Sequence, residues 1–282
     1  MKASLRQLHW REYAIEGWAL GTFMLSACLC GTLVFHPASP VYGVVGAPWA
    51  RRGVMGILMG CTLAALVYSP WGRRSGAQMN PAFTLTFLRL GKIAPTDAAG
   101  YIAAQFLGGA IGVWVAVRLI GMSLAHPSVD FVVTRPGSAG VLGAFIAEVS
   151  ISFLQMLLVL NVAGSPRWAR FTGACAALAV ATYITVESPI SGMSMNPARS
   201  VASASAAGDW GAIWIYFAAP ALGMGLAAWG YARRRGAAAA PCGKMMHATP
   251  CIFCEHVEER ARAARARSTR DVVVGTAMDQ TA

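Results

Sequence analysis

Two nearly identical motifs contain the residues of this sequence that are best suited to a binding site. The segment Ser75-Gly76-x-x-Met79-Asn80-Pro81-Ala82 matches Ser191-Gly192-x-x-Met195-Asn196-Pro197-Ala198, 116 residues further on. Asparagine is a preferred N-cap and proline suits the first helical position, so each motif predicts the start of a helix. The asparagine amide also has N–H groups to donate. The motifs therefore predict two helix N-termini that carry hydrogen-bond donors.

The chain around these motifs has too few charged residues for a soluble domain. Of its 282 residues, 56% are hydrophobic and 12% are charged, against about 25% charged in an average soluble domain. Six segments are apolar enough to cross a bilayer, which takes about 20 residues. They are 17–35, 53–72, 98–117, 136–166, 171–186 and 210–232. The first is too long for the apolar region of a signal peptide and no cleavage site follows it, so we expect an uncleaved helix.

The basic residues predict how the spans are oriented. With both termini in the cytoplasm, twelve Lys and Arg residues near the spans lie inside and four lie outside, as the positive-inside rule requires. We expect an integral protein of the plasma (inner) membrane with both termini cytoplasmic. The net charge of +11 is then mostly a topology signal. No nucleic-acid partner is expected, because no readable binding motif accompanies the charge.

The motifs belong to an internal repeat. The segment YIAAQFLGGA from Tyr101 matches YFAAPALGMG from Tyr216, at nearly the same offset as the motifs. Each copy, about 8–122 and 138–235, contains three spans, so the second copy must enter the membrane from the opposite side. Inverted repeats of this kind place their site at the membrane midplane between the two halves.

The segments that follow the motifs are too short to cross a bilayer. The runs 82–90 and 198–206 each begin at a cap between two spans, which predicts re-entrant half-helices. Irregular backbone at this depth must pack against protein or line a cavity. Two half-helix N-termini at the midplane bring their partial positive charges together, so they favour neutral polar molecules and repel cations. The predicted fold is an all-α membrane protein with six transmembrane helices and two re-entrant half-helices in an inverted repeat.

The paired motifs within this repeat resemble those of the aquaporin and aquaglyceroporin superfamily, the major intrinsic proteins. The resemblance covers about residues 8–235 and implies one pore per subunit, usually in a homotetramer. It implies that the pore passes Asn80-Pro81-Ala82 and Asn196-Pro197-Ala198 at its centre. It also implies a passive channel for water and small uncharged solutes, glycerol-like molecules and metalloid hydroxides among them, that excludes ions and protons.

The resemblance further implies a narrow filter on the extracellular side of the asparagines. Its arginine corresponds to Arg199, and a charge at that depth is functional by default. Counting from the motifs without gaps gives Gly60, Ile184 and Met193 as the other filter positions, with core packing as the alternative for the last two. Water-selective members resemble one another in having an aromatic residue and a histidine at the first two positions. Glycine and isoleucine predict a wider, more apolar filter. Ser200 points the other way, because glycerol-conducting relatives typically have Asp at this position, and here the sequence resembles the water-conducting branch.

Glu16 and Glu148 place carboxylates inside apolar runs. The resemblance implies that they support the half-helix loops by accepting hydrogen bonds from backbone N–H groups. Proton coupling is the alternative role, and with it a proton- or ion-coupled secondary transporter of a small solute is the alternative function. Glu187 is either a third loop support or a solvated residue.

The tail, residues 236–282, contains a cluster of Cys and His followed by a basic segment. Cys242, His247, Cys251 and Cys254 could form a tetrahedral zinc site, with a redox-sensitive thiol pair or no role as alternatives. A membrane enzyme or metal sensor would depend on this tail alone. The spans offer no nucleophile–base pair, so we expect no enzymatic reaction and no cofactor besides a zinc ion in the tail.

Overall fold

A computed structural model describes residues 8–246, 251–262 and 265. Between residues 8 and 235, eight helices of nine or more residues form the fold. They are α1 Trp10–Phe35, α2 Pro48–Tyr68, α3 Pro81–Arg89, α4 Pro95–Ile120, α5 Gly140–Ala163, α6 Thr172–Val186, α7 Pro197–Ala207 and α8 Ile215–Arg235. The predicted architecture is confirmed, with α3 and α7 as the two half-helices.

Short helices lie between the long ones. Pro40–Val44, Pro70–Ser75 and Ser188–Ser191 are α-helical, and Gly121–Ala125, Asp130–Val132, Ala169–Phe171 and Ala237–Ala239 are 3-10 turns. Pro70–Ser75 and Ser188–Ser191 occupy equivalent places, because each leads into one of the two motif loops. The repeat seen in the sequence thus extends to the connections between helices.

Among the residues that the structure describes, five helical segments are long and apolar enough to cross a membrane by length and composition. They are Trp10–Phe35, Pro48–Tyr68, Pro95–Ala125, Gly140–Ala163 and Ala169–Val186. Helix α8 has 21 residues, with Pro220 inside it and three arginines in its last turn, which reduce its apolar character. It packs along α5 as α1 packs along α4, and it therefore occupies the position of the sixth span.

Close backbone contacts hold these helix pairs together. A Cβ atom on Gly108 of α4 would collide with the carbonyl oxygen of Gly17 in α1, and one on Gly223 of α8 would collide with that of Val149 in α5. Small residues let membrane helices approach in this way, because no hydrophobic effect drives helices together within lipid. The third extensive pair is α2 with α6.

The described part of the tail folds back onto the helices of residues 8–235. The Tyr231 hydroxyl donates to the carbonyl oxygen of Ala239 at 3.3 Å, and Arg260 Nη1 donates to that of Gly91 at 3.0 Å. Residues 252–262 are helical. We call the side of the molecule on which α8 ends the tail side.

Candidate functional site

The loop before each half-helix has a backbone conformation that side chains rarely adopt. Met79 and Met195, which precede the two asparagines, have φ angles of 49° and 53°. Ala77 and Met193 have φ angles of 52° and 50° at the matching positions two residues earlier. Left-handed non-glycine residues cost free energy and persist only where the surroundings hold them in place. The two loops therefore need support from neighbouring elements.

Glu16 supports the first loop from α1. Its Oε1 accepts hydrogen bonds from Ser75 Oγ at 2.7 Å and from the backbone N–H of Gln78 at 3.0 Å. Its Oε2 accepts from the backbone N–H of Met79 at 2.6 Å and from Gln105 Nε2 at 2.9 Å. The carboxylate is fully buried, and these four donors occupy both oxygens.

Glu148 supports the second loop from α5 in the same way. Its Oε1 accepts from Ser191 Oγ at 2.8 Å and from the backbone N–H of Ser194 at 2.6 Å. Its Oε2 accepts from the backbone N–H of Met195 at 2.7 Å. Like Glu16, Glu148 is fully buried and absent from the lining of the cavity described below. This geometry favours loop support over proton coupling.

The asparagine side chains cap the half-helices. Asn80 Oδ1 accepts the backbone N–H of Ala82 at 2.9 Å. Asn196 Oδ1 accepts the backbone N–H groups of Ala198 at 3.1 Å and Arg199 at 3.3 Å. Each proline occupies the first helical position. A backbone N–H at this position has no partner within the helix, so the lack of one in proline costs no hydrogen bond. The helix starts predicted from the motifs are confirmed.

The same asparagines connect the two halves of the repeat. Asn80 Nδ2 donates to the carbonyl oxygen of Met195, and Asn196 Nδ2 donates to that of Met79, both at 2.7 Å. The two half-helix N-termini therefore meet, as the inverted repeat predicts. Since an amide nitrogen has two hydrogens, each asparagine keeps one N–H that this exchange does not use.

A cavity of about 590 Å³ lies beside the paired asparagines. Both asparagine side chains contribute to its wall, which is otherwise mostly apolar. Tyr42 and Arg51 line it toward the face opposite the tail, and Met245 lines it on the tail side. The cavity therefore passes the half-helix N-termini in the middle of the protein.

Three of the four predicted filter residues line this cavity, namely Ile184, Met193 and Arg199. Gly60 does not. A Cβ atom on Gly60 would lie 2.9 Å from the carbonyl oxygen of Ala177, so this face of α2 packs against α6. Met59 lines the cavity instead. The ungapped count from Asn80 therefore gives a residue on the packed face of α2, whereas its neighbour lies on the cavity face, because one residue turns a helix by about 100°.

Arg199 brings a buried positive charge to the cavity. It is the third residue of α7, one turn from the cap, and its Nη1 has no hydrogen-bond partner within the described ranges. A guanidinium has five N–H donors and no acceptor. Arg199 therefore brings a positive charge and N–H donors to the wall of the cavity.

Sequence reasoning missed several residues of the cavity. Arg51 and Arg52, two of the four basic residues that the sequence places outside the membrane, line the opposite mouth. Arg52 Nε donates to the carbonyl oxygen of Thr185 at 3.1 Å, and the Arg51 guanidinium lies 3.9 Å from the centre of the Tyr42 ring. Only the contact between chain segments far apart in sequence reveals this basic mouth.

Three of the four predicted tail ligands come together. The Sγ atoms of Cys242 and Cys251 lie 3.4 Å apart, those of Cys251 and Cys254 3.7 Å, and those of Cys254 and Cys242 3.9 Å. His247 lies outside the described residues. The hydrogen bond from Cys242 lowers the pKa of Cys251 to about 5, and the charge of Lys244 acts in the same direction. The cluster therefore holds one thiol that ionises readily.

Glu187 is buried rather than solvated. Its side chain is 6% exposed, and neither carboxylate oxygen has a hydrogen-bond partner in the part of the chain that the structure describes. It therefore lacks the backbone N–H contacts that Glu16 and Glu148 make.

Residues 6–231, which include both half-helices and most of α8, match the model of the family "Major intrinsic protein". The chain is a major intrinsic protein. Its fold supports this assignment, because the aquaglyceroporin from Plasmodium falciparum superposes with a TM-score of 0.63. That superposition covers 78% of this major intrinsic protein and 94% of the other chain, at 18% sequence identity.

Plant aquaporins are among the relatives similar in sequence to this major intrinsic protein. Aquaporin NIP1-3 of Oryza sativa is 34% identical over 75% of this chain and 70% of its own. Nodulin-26 of Glycine max is 31% identical over 76% of this chain and 74% of its own length. The probable aquaporin NIP7-1 of Arabidopsis thaliana is 30% identical over 72% of this chain and 70% of its own length. Family membership makes this chain an integral membrane protein and points to a channel rather than an enzyme.

Proposed function

We propose that this major intrinsic protein is a broad-selectivity pore that conducts water together with small neutral solutes such as glycerol, urea-like molecules or undissociated metalloid hydroxides. It is a passive channel, as its family membership indicates. The observation that carries the proposal is the exchange of hydrogen bonds between the two motif loops, made by Asn80 and Asn196, beside a cavity that both asparagines line.

The midplane favours neutral molecules for an electrostatic reason. Two half-helix N-termini contribute partial positive charges, and each asparagine keeps one N–H to donate. A water or hydroxyl oxygen can accept these hydrogen bonds. A cation or hydronium would lose its hydration shell and meet positive charge in exchange.

The filter region supports a wide selectivity. Met59, Ile184 and Met193 offer no strong hydrogen-bonding group, and Arg199 supplies the donors. Methionine side chains are flexible and adapt to guests of different shape. A solute with both carbon and hydroxyl groups can then place its apolar side against the methionines and its oxygen near the arginine.

A narrower, more polar filter is expected to reduce solute conduction while leaving water conduction. The double variant Met59→Phe, Ile184→His adds an aromatic ring and a hydrogen-bonding group at two cavity positions. We expect at least a fivefold lower glycerol permeability, with water permeability within about twofold of the unaltered channel. Stopped-flow light scattering of proteoliposomes with water, glycerol, urea and arsenite measures each permeability.

The matched control is Leu178→Phe, which adds an aromatic ring to α6 at a residue that is 71% exposed and absent from the cavity lining. It should conduct like the unaltered channel. Water flux in the unaltered channel without glycerol or arsenite flux above lipid vesicles would contradict the wide filter.

The topology and assembly belong to the same proposal. We place both termini in the cytoplasm and the protein in the plasma (inner) membrane, since the basic residues near the spans are concentrated on the tail side. A homotetramer fits the family, with one pore in each subunit.

A further inference from the structure

The tail reaches the mouth of the pathway and bonds to the loop of the first motif. Gln78 Nε2 donates to the carbonyl oxygen of Gly243 at 2.9 Å. The backbone N–H of Met245 donates to the carbonyl oxygen of Gly76 at 3.2 Å. Gln78 and Met245 both line the cavity. Segment 243–245 therefore lies across the tail-side end of the pathway, with the Met245 side chain in it.

Several further contacts dock this part of the tail. Lys92 Nζ donates to the carbonyl oxygen of Ala238 at 3.0 Å. Phe253 is fully buried and packs edge-on against Tyr101, with ring centres 5.8 Å apart. Lys244 is only 4% exposed. The docked segment is thus packed like a core element rather than lying on the surface.

Three cysteines flank this segment in the sequence. Cys242 directly precedes Gly243, and Cys251 and Cys254 follow Met245. Their Sγ atoms are 3.4, 3.7 and 3.9 Å apart. In a tetrahedral site with Zn–S bonds of about 2.3 Å, neighbouring sulfurs lie about 3.8 Å apart. The three sulfurs are therefore already placed near the corners of a zinc tetrahedron.

The surrounding charge suits a thiolate-bound divalent cation. Three thiolates around Zn²⁺ leave one surplus negative charge. Lys92 lies in the field of Cys242 and Cys254, and Lys244 in that of Cys251. Two lysines beside the cluster can thus compensate the surplus charge.

We propose that Cys242, Cys251 and Cys254 bind a zinc ion and that the bound ion clamps segment 243–245 over the tail-side mouth of the pore. Zinc then links Cys242 to Cys251 and Cys254, and so holds Met245, which lies between them in the sequence, in the pathway. Loss of zinc frees segment 243–245, so the pore opens. The clamp rests on the proposed channel function, whereas zinc binding does not.

The test measures zinc content and water permeability on the same full-length preparations. We expect one zinc per chain by a colorimetric chelator assay after denaturation. We expect water permeability of proteoliposomes in buffered free zinc to rise at least threefold when the zinc is chelated. Cys251→Ser should lose the zinc and show the higher permeability in both conditions.

Two further variants separate the steps. Cys61→Ser removes an exposed thiol of α2 and should keep both zinc and inhibition. Met245→Ala should keep the zinc but lose the inhibition, because the side chain in the pathway is shortened.

Each adverse result overturns a defined part of the proposal. Tight zinc binding by Cys251→Ser, or less than one zinc in the unaltered chain, overturns the site. Bound zinc without any change in water permeability overturns the clamp. A change that follows a thiol oxidant and not zinc assigns the cluster to a redox switch instead. If chelated channel and Cys251→Ser both fail to conduct, the proposed channel function fails while the zinc count still tests the site.

Discussion

Replacing Glu148 with glutamine is expected to remove most of the channel activity. The carboxylate accepts two backbone N–H groups and one hydroxyl of the second motif loop. A glutamine amide has one oxygen, and its NH₂ group would face a backbone N–H. At least one buried donor is then left unpaired, at about 1–3 kcal/mol each. The strained loop would lose its support, and the two half-helix N-termini would no longer be held together.

We expect Glu148→Gln to lower the midpoint of thermal unfolding of the detergent-purified protein and to reduce water permeability per channel at least fivefold. Glu16→Gln should do the same, because it supports the first loop with equivalent contacts. Glu187→Gln is the control, since this carboxylate is buried but bonds to neither loop backbone, and it should leave both quantities nearly unchanged. Unaltered stability and permeability in Glu148→Gln would contradict loop support.

Replacing Arg199 with valine is expected to weaken the exclusion of ions and of larger neutral solutes. The guanidinium is the positive charge that lines the cavity next to the second half-helix. Valine removes the positive charge and leaves a shorter side chain at this point of the cavity wall. We expect at least a tenfold higher proton permeability and a severalfold higher urea permeability, with water conduction retained.

A pH-sensitive dye trapped in proteoliposomes measures the proton permeability of Arg199→Val. Arg118→Val is the matched control, because Arg118 lies in the last turn of α4 and does not line the cavity. It should show the proton permeability of the unaltered channel. A proton permeability of Arg199→Val equal to that of the unaltered channel would contradict this prediction. The half-helix N-termini would then account for proton exclusion without the arginine.

Features set by a few neighbouring residues could be predicted from the sequence. The half-helices were expected at 82–90 and 198–206, and they run over Pro81–Arg89 and Pro197–Ala207. The agreement is close because a cap depends on side-chain and backbone groups only two or three residues apart. The inverted repeat could be predicted for a similar reason, since its landmark residues recur at a nearly constant offset.

Features that depend on helix register or distant contacts could not be predicted. Gly60 and Met59 differ by one position, yet one packs against α6 and the other lines the cavity. Helix α1 extends beyond the apolar segment 17–35 to Trp10, and Glu12 in its first turn accepts a hydrogen bond from Arg74 Nε at 2.8 Å. Met245 reaches the pathway through a fold of the tail that no local pattern indicates.

The most direct test of a passive neutral-solute channel is glycerol flux into zinc-free proteoliposomes, measured with and without an imposed pH or sodium gradient. We expect glycerol and water to enter faster than in protein-free vesicles, at rates that neither gradient changes, while protons stay at the lipid background. Glycerol uptake driven by either gradient, or permeabilities no higher than those of lipid alone, would contradict the account.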